Sequence, residues 1–142
     1  MRVLLDINVP VSYLLTPTAG GSIETVMEAL MQGAFTLLVP PDLLAELERV
    51  ATRKAHLAKR IHPDQLARLR DLLLAVGELL PTFEETIPAI TRDRKDDYLL
   101  AYAFVSAAGY LVTGDDDLLV LDKLGTLVIL SPPVFAELLG RV

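Results

Sequence analysis

The sequence predicts an α/β fold in which a parallel sheet is covered by helices on both faces. Short apolar runs of strand length, such as Val3–Leu5 and Tyr110–Thr113, alternate with longer stretches of helical periodicity. The run Val3-Leu4-Leu5 is apolar at every position, as a strand buried on both faces requires. Gly, Pro, Ser and Asp punctuate the steps between them. Alternating strands and helices imply right-handed crossovers, with ligands bound at the carboxyl ends of the strands where strand order reverses.

Each element follows from local pattern. Val3–Leu5 reads as a buried strand, and Asp6 to Pro10 reads as the chain leaving it. Thr16 to Gly21 is turn-rich, Ser22 has the chemistry of a helix cap, and the helix Ile23 to Met31 is stopped by Gly33. Phe35–Val39 is a second strand. Pro40-Pro41-Asp42 starts a helix with Leu43, Leu44, Leu47 and Val50 on one face, and Glu46 lies at the boundary of that face. Pro63-Asp64 starts another helix, carrying Leu66, Leu69, Leu72, Leu73 and Val76. Residues 79–92, with Pro81 and Pro88, leave room for a short edge strand. Asp96 or Asp97 opens an apolar helix to Ala108, ended by Gly109. Tyr110–Thr113 is a strand, Asp117–Leu121 a short helix, Thr126–Leu130 the last strand, and Ser131-Pro132 initiates a final helix. The strands at 3–5 and 110–113 are the natural pair to flank the reversal.

At 142 residues the chain fits one domain, 1–142, with 52% apolar and 23% charged residues, which excludes disorder. No apolar run is long enough to span a membrane, and the run after Arg2 is too short for a secretory leader. Cysteine is absent, which removes thiol nucleophiles and zinc–thiolate sites, and a cytoplasmic location fits best. The net charge of −6 argues against broad electrostatic binding to nucleic acid. The charge is uneven, however. Arg49, Arg53, Lys54, Lys59, Arg60, Arg68 and Arg70 form a basic stretch, while acids concentrate from Asp93 to Asp122. Such a stretch suits a polyanion or an acidic partner, and it also suits a plain solvated helical face.

Four separated acids, Asp6, Glu46, Asp97 and Asp115, each fall where a strand gives way to a loop or helix. Strand ends meet at one edge of a parallel sheet, so these carboxylates are placed to converge. Two carboxylates 4 Å apart repel by roughly 4 kcal/mol at an effective dielectric near 20. A divalent cation is the usual offset. Mg²⁺ takes oxygen ligands and keeps several waters, and no His or Cys lies near the four acids to favour zinc. Each acid alone also has a plain reading, as a helix cap for Asp97 and Asp115 or an exposed helix charge for Glu46. His56 and His62 lie in the basic stretch, where a phosphate-contact or surface role fits better than catalysis. Tyr98 and Tyr102, one turn apart, read as packing residues. The dense apolar stretches at 101–108 and 118–121 read as core or as a self-association surface.

Four segments together resemble the PIN-domain family, in its bacterial and archaeal branch of VapC-like toxin ribonucleases. They are Leu5-Asp6-Ile7-Asn8-Val9, Leu43-Leu44-Ala45-Glu46-Leu47, the stretch from Thr91 to Ala101, and Tyr110-Leu111-Val112-Thr113-Gly114-Asp115-Asp116-Asp117-Leu118-Leu119. The resemblance covers essentially the whole chain. It implies a three-layer α/β/α PIN-like domain with a central parallel sheet of four to five strands. It implies Mg²⁺- or Mn²⁺-dependent cleavage of RNA, with Asp6, Glu46, Asp97 and Asp115 as catalytic and metal-binding acids. Asn8, Asp96, Thr113 and Asp117 are then supporting residues. Arg53, Lys54, Lys59 and Arg60 are candidates for contact with RNA or with an antitoxin protein, and a homodimer or higher homo-oligomer is expected. The chain departs from the family at Ile7, where Thr is usual, and at Arg94, where this branch often has Pro. A receiver domain would need a mid-chain strand followed by a phosphoacceptor Asp, and a dehalogenase-like phosphatase would need Asp-x-Asp where this chain has Asp6-Ile7-Asn8. Neither pattern is present.

Overall fold

A computed structural model describes residues 1–15, 21–53, 61–82, 89, 91 and 94–140, with backbone only at 50–53, 94 and 95. The elements run β1 (Arg2–Leu5), α1 (Asn8–Leu15), α2 (Ser22–Met31), β2 (Thr36–Val39), α3 (Pro41–Arg53), α4 (Pro63–Val76) and β3 (Gly77–Leu79). They continue with α5 (Arg94–Val105), β4 (Tyr110–Val112), α6 (Asp116–Leu119), β5 (Lys123–Leu124), β6 (Leu127–Leu130) and α7 (Pro132–Leu139).

The sheet has six strands in the order β3-β2-β1-β4-β6-β5. Five are mutually parallel, with Leu4 opposite Leu38 on one side and Leu111 on the other, and only β5 is antiparallel. Strand order therefore reverses between β1 and β4, the pair anticipated from the sequence. Alternate residues feed two cores. Val3, Leu5, Leu37, Val39 and Val112 pack with α1, α2, α3, α4 and α7, whereas Leu4, Leu38, Leu111 and Ile129 pack with α5 and α6. This is the three-layer α/β/α arrangement. Phe135 of α7 is fully buried and meets Phe35 edge-on at 5.3 Å between ring centroids. No helix among the described residues is long and apolar enough to cross a membrane.

Several elements differ from the sequence reading. The chain leaving β1 is a helix rather than a loop. Asp6 starts it by accepting from Val9 N through its carbonyl and from Asn8 N through its carboxylate. Pro10 is tolerated because it sits in the first turn, where its missing N–H has no helical partner to lose. Ser22 is the first helical residue of α2 and not its cap. Gly21 takes the extended capping conformation without a side-chain bond, while Gly33 ends the segment at φ 75° as anticipated. The edge strand comes earlier than expected, because α4 runs straight into β3 at Gly77. A Cβ there would stand 2.5 Å from Val39 Cγ2 and 2.6 Å from the Leu73 carbonyl oxygen, so only glycine permits the abrupt join.

The helix carrying Asp97 starts at Arg94 and ends at Val105, before the expected stop at Gly109, and Ala107, at φ 55°, takes the left-handed turn that follows it. Gly109 instead donates its N–H to Arg2 O at the start of the sheet ladder. The β5–β6 hairpin had no readable signal, since a two-residue strand is too short to show alternation. The loop at 16–20, the Val50 side chain, His56 and Pro88 lie outside what is described.

Candidate active site

Asp6 follows β1 and Thr113 follows β4, on neighbouring strands, and the ladder continues through them. Asp6 N donates to Val112 O and Thr113 N donates to Leu130 O, both at 2.9 Å. Both side chains are buried at the carboxyl edge, with Asp6 5% exposed and Thr113 not at all. The Thr113 hydroxyl donates to Asp6 Oδ2 at 2.7 Å, while Asn8 N donates to Oδ1 at 3.2 Å. Asn8 thus contributes through its backbone, and its own side chain is exposed. Thr113 Oγ1 also accepts from Asp115 N at 3.0 Å, and Asp115 Oδ1 accepts from Asp117 N at 2.9 Å as the cap of α6. The plain reading of Asp115 as a cap and its place beside Asp6 both hold. Asp117 is half-buried and supports Asp115 through its N–H.

Burial pushes the Asp6 carboxyl above the usual carboxylate range. The bonds from Thr113 and Asn8 oppose that rise, and the negative charges of Asp115 and Glu46 add to it. Three of the four predicted acids therefore share one electrostatic neighbourhood. Glu46 enters it from the second turn of α3, which starts at this edge because β2 ends there. Its side chain is 14% exposed and pairs with Arg49 at 2.7 Å.

Asp97 arrives from the opposite side of the sheet. Arg2, at the start of β1, donates through Nε and Nη2 to Ser106 O just past the end of α5, at 3.2 and 3.1 Å. That contact anchors the C-terminus of α5 at the amino edge of the sheet. Twelve helical residues rise roughly 18 Å, which carries the N-terminus of α5 to the carboxyl edge. Asp96 and Asp97 lie in its first turn, 5% and 6% exposed. Asp97 Oδ1 accepts from both the N–H and the hydroxyl of Thr91. The Tyr102 hydroxyl reaches Asp42 Oδ2 at 3.3 Å, tying α5 to the first turn of α3 one turn before Glu46. Tyr102 is buried and stacks on Tyr98 at 6.0 Å, so the tyrosine pair is a packing feature.

Other expectations resolve differently. His62 is exposed and caps α4, its Nδ1 accepting from Asp64 N at 3.1 Å while Gln65 Oε1 accepts from His62 N. This is a surface role. Ile7 is buried in the larger core, which explains an apolar residue where a hydroxyl is usual in the resembling family. The Arg53 side chain, Lys54, Lys59 and Arg60 lie outside the described residues. Sequence reasoning missed Thr91 and the Arg49 partner of Glu46. The i,i+3 spacing of Glu46 and Arg49 was a visible signal for the second. Thr91 heads the family-like stretch 91–101, but nothing local gave it a role towards an acceptor six residues on.

The donor chemistry fits a hard divalent cation, because the groups at this edge are carboxylates, with the Thr113 hydroxyl donating to that of Asp6. Among the described residues, no group of three or more His, Asp or Glu side chains is spaced to share one ion. Asp115 and Glu46 stand near enough to Asp6 to add to the rise that burial gives its carboxyl.

Comparison with known proteins agrees with this architecture. The chain's fold is similar to that of a chain in the crystal structure of VapBC2 from Rickettsia felis bound to a DNA fragment from their promoter. The TM-score is 0.62 at 17% identity, covering 92% of this chain and 98% of that one. No curated protein matches significantly. The PIN domain pattern matches residues 2–117, a span that holds Asp6, Glu46, Asp97 and Asp115 together with the strands and helices that carry them. The chain belongs to the PIN-domain family.

Proposed function

We propose that this chain is a metal-dependent endoribonuclease hydrolysing RNA phosphodiester bonds, with residues 1–142 acting as one domain. In the same reading it is the toxin component of a type II toxin–antitoxin system. The observation that carries the proposal is Asp6, a buried carboxyl at the β1/β4 reversal, held by Thr113 and raised chiefly by its burial, with the charges of Asp115 and Glu46 adding to the rise. A fold has little reason to bury an acid among other acids unless a cation is to join them.

Mg²⁺ or Mn²⁺, when bound, supplies an activated water and stabilises charge developing on the phosphate oxygens. Asp6, Asp97 and Asp115 are assigned as ligands of that ion, directly or through water. Glu46 is assigned to a second ion or to orienting the attacking water, and its pairing with Arg49 keeps the side chain directed. Asn8, Asp96, Thr113 and Asp117 support these acids, Thr113 by fixing Asp6 Oδ2 and Asn8 by its N–H. Arg53, Lys54, Lys59 and Arg60 are assigned, from the sequence alone, to contact with RNA or the antitoxin.

VapBC2, whose fold is similar, was solved bound to a fragment of promoter DNA. By that likeness the present chain takes an antitoxin protein as partner. Homodimerisation and a cytoplasmic site of action belong to the same reading.

The alternative is a non-catalytic PIN-like module that binds nucleic acid or protein. One experiment separates the two. Purified native chain should cleave RNA only with Mg²⁺ or Mn²⁺, and Asp6→Asn or Asp97→Asn should abolish cleavage while the circular dichroism spectrum is kept. Full activity in either variant removes the catalytic assignment. RNA binding by the native chain without metal-dependent cleavage selects the binding module.

A further inference from the structure

We propose that Thr91 is a positioning residue that fixes the rotation of the Asp97 carboxylate for a divalent cation; this rests on the metal-dependent reading above. Thr91 places two donors on one oxygen, its N–H at 2.7 Å and its hydroxyl at 3.0 Å from Asp97 Oδ1. Rotation about the Cβ–Cγ bond breaks both contacts together, so Oδ2 is held pointing away from residue 91. Asp97 is 6% exposed, and water has little access to replace a lost donor.

The arrangement repeats a device on the other side of the site. Asp6 also receives one threonine hydroxyl, from Thr113 on Oδ2, and one backbone N–H, from Asn8 on Oδ1, so there the two donors hold separate oxygens. Two buried acids from unconnected elements are thus each clamped by a hydroxyl and an amide. A pair that merely ties Thr91 to α5 would serve the fold alone. A clamp that orients a ligand affects metal binding, and does so only through Asp97.

The test titrates the full chain with Mn²⁺ in the absence of RNA, by calorimetry or by the electron paramagnetic resonance signal of free Mn²⁺. Thermal melts establish that each variant is folded at the assay temperature. Thr91→Val should weaken Mn²⁺ binding about tenfold, and Thr91→Ser should stay within about twofold of the native chain. In an Asp97→Ala background, Thr91→Val should add nothing. Native affinity in Thr91→Val, a serine variant as weak as the valine variant, or a further loss in the Asp97→Ala background each overturns the proposal. Thr91→Ala takes the place of the valine variant if the latter does not fold. Undiminished Mn²⁺ binding in Asp97→Ala overturns the metal-site reading itself and Thr91 with it. Binding that needs Asp97 but ignores Thr91 overturns the Thr91 assignment alone.

Discussion

The hydroxyl of Thr113 donates to Asp6 Oδ2 at 2.7 Å across the β1/β4 pair, at the point where strand order reverses. Thr113 Oγ1 also accepts from Asp115 N, so a single buried hydroxyl links the ends of two strands to the cap of α6. With its acceptor side engaged by that N–H, the hydroxyl proton is left for the Asp6 carboxylate. The geometry of the acids thus depends on a residue that carries no charge.

Thr113→Val keeps the shape and removes both bonds, leaving a buried carboxylate oxygen and an amide without their partner. It should cost about 1–3 kcal/mol of stability in denaturant titrations, with Thr113→Ser close to native. A valine variant as stable as the native chain would show that the bond does not hold the strand ends together.

Asp6 gives the metal-free protein a definite pH dependence. Its folded-state carboxyl lies above the usual carboxylate range, chiefly through burial. The folded chain therefore holds this proton more tightly than the unfolded chain. Asp6 contributes full stability below the unfolded value and loses it as pH rises through the folded value. Asp6→Asn should consequently melt higher than the native chain at neutral pH without metal, with the gain disappearing towards about pH 4. Equal melting at neutral pH, or a gain that grows on acidification, would contradict the electrostatic account.

Divalent metal should reverse that ranking. Saturating Mn²⁺, at about 100 times its dissociation constant, should stabilise the native chain by about 2.7 kcal/mol. Asp6→Asn should show little of this, and the native shift should fade as acid protonates Asp6. An unchanged thermal midpoint at millimolar metal would count against a site formed in the folded chain.

The join of α4 to β3 offers a test of the fold alone. Gly77→Ala places a methyl 2.5 Å from Val39 Cγ2 and 2.6 Å from a backbone oxygen that cannot move without unwinding the last turn of α4. Destabilisation of about 1–3 kcal/mol in equilibrium unfolding is expected. A neutral substitution would mean that β3 detaches from β2 without cost.

Much of the architecture was legible because burial on both faces leaves a simple trace. Val3-Leu4-Leu5 and Tyr110-Leu111-Val112 could be placed as central strands from their unbroken apolar character, and the reversal between them followed from the βα alternation. The acids at 6 and 115 could be placed at one edge for the same reason. Helix α1 was not legible, since its start depends on Asp6 acting as both strand end and cap, with a proline inside the first turn. The end of α5 misled because a glycine stood nearby, whereas Ala107 took the left-handed turn.

The sequence by itself determined the class of fold, the kind of side chain at the carboxyl edge and the family to which those motifs belong. All of these depend on periodicity and residue chemistry along the chain. The tertiary structure decided which acids act on one another. Asp6 meets Thr113 over 107 positions of sequence because hydrogen bonds between β1 and β4 bring their ends together. Arg2 anchors α5 so that Asp97 reaches the same edge, and Thr91 clamps a carboxylate six residues away. Such relationships depend on strand order and helix length in three dimensions, and no local pattern encodes them.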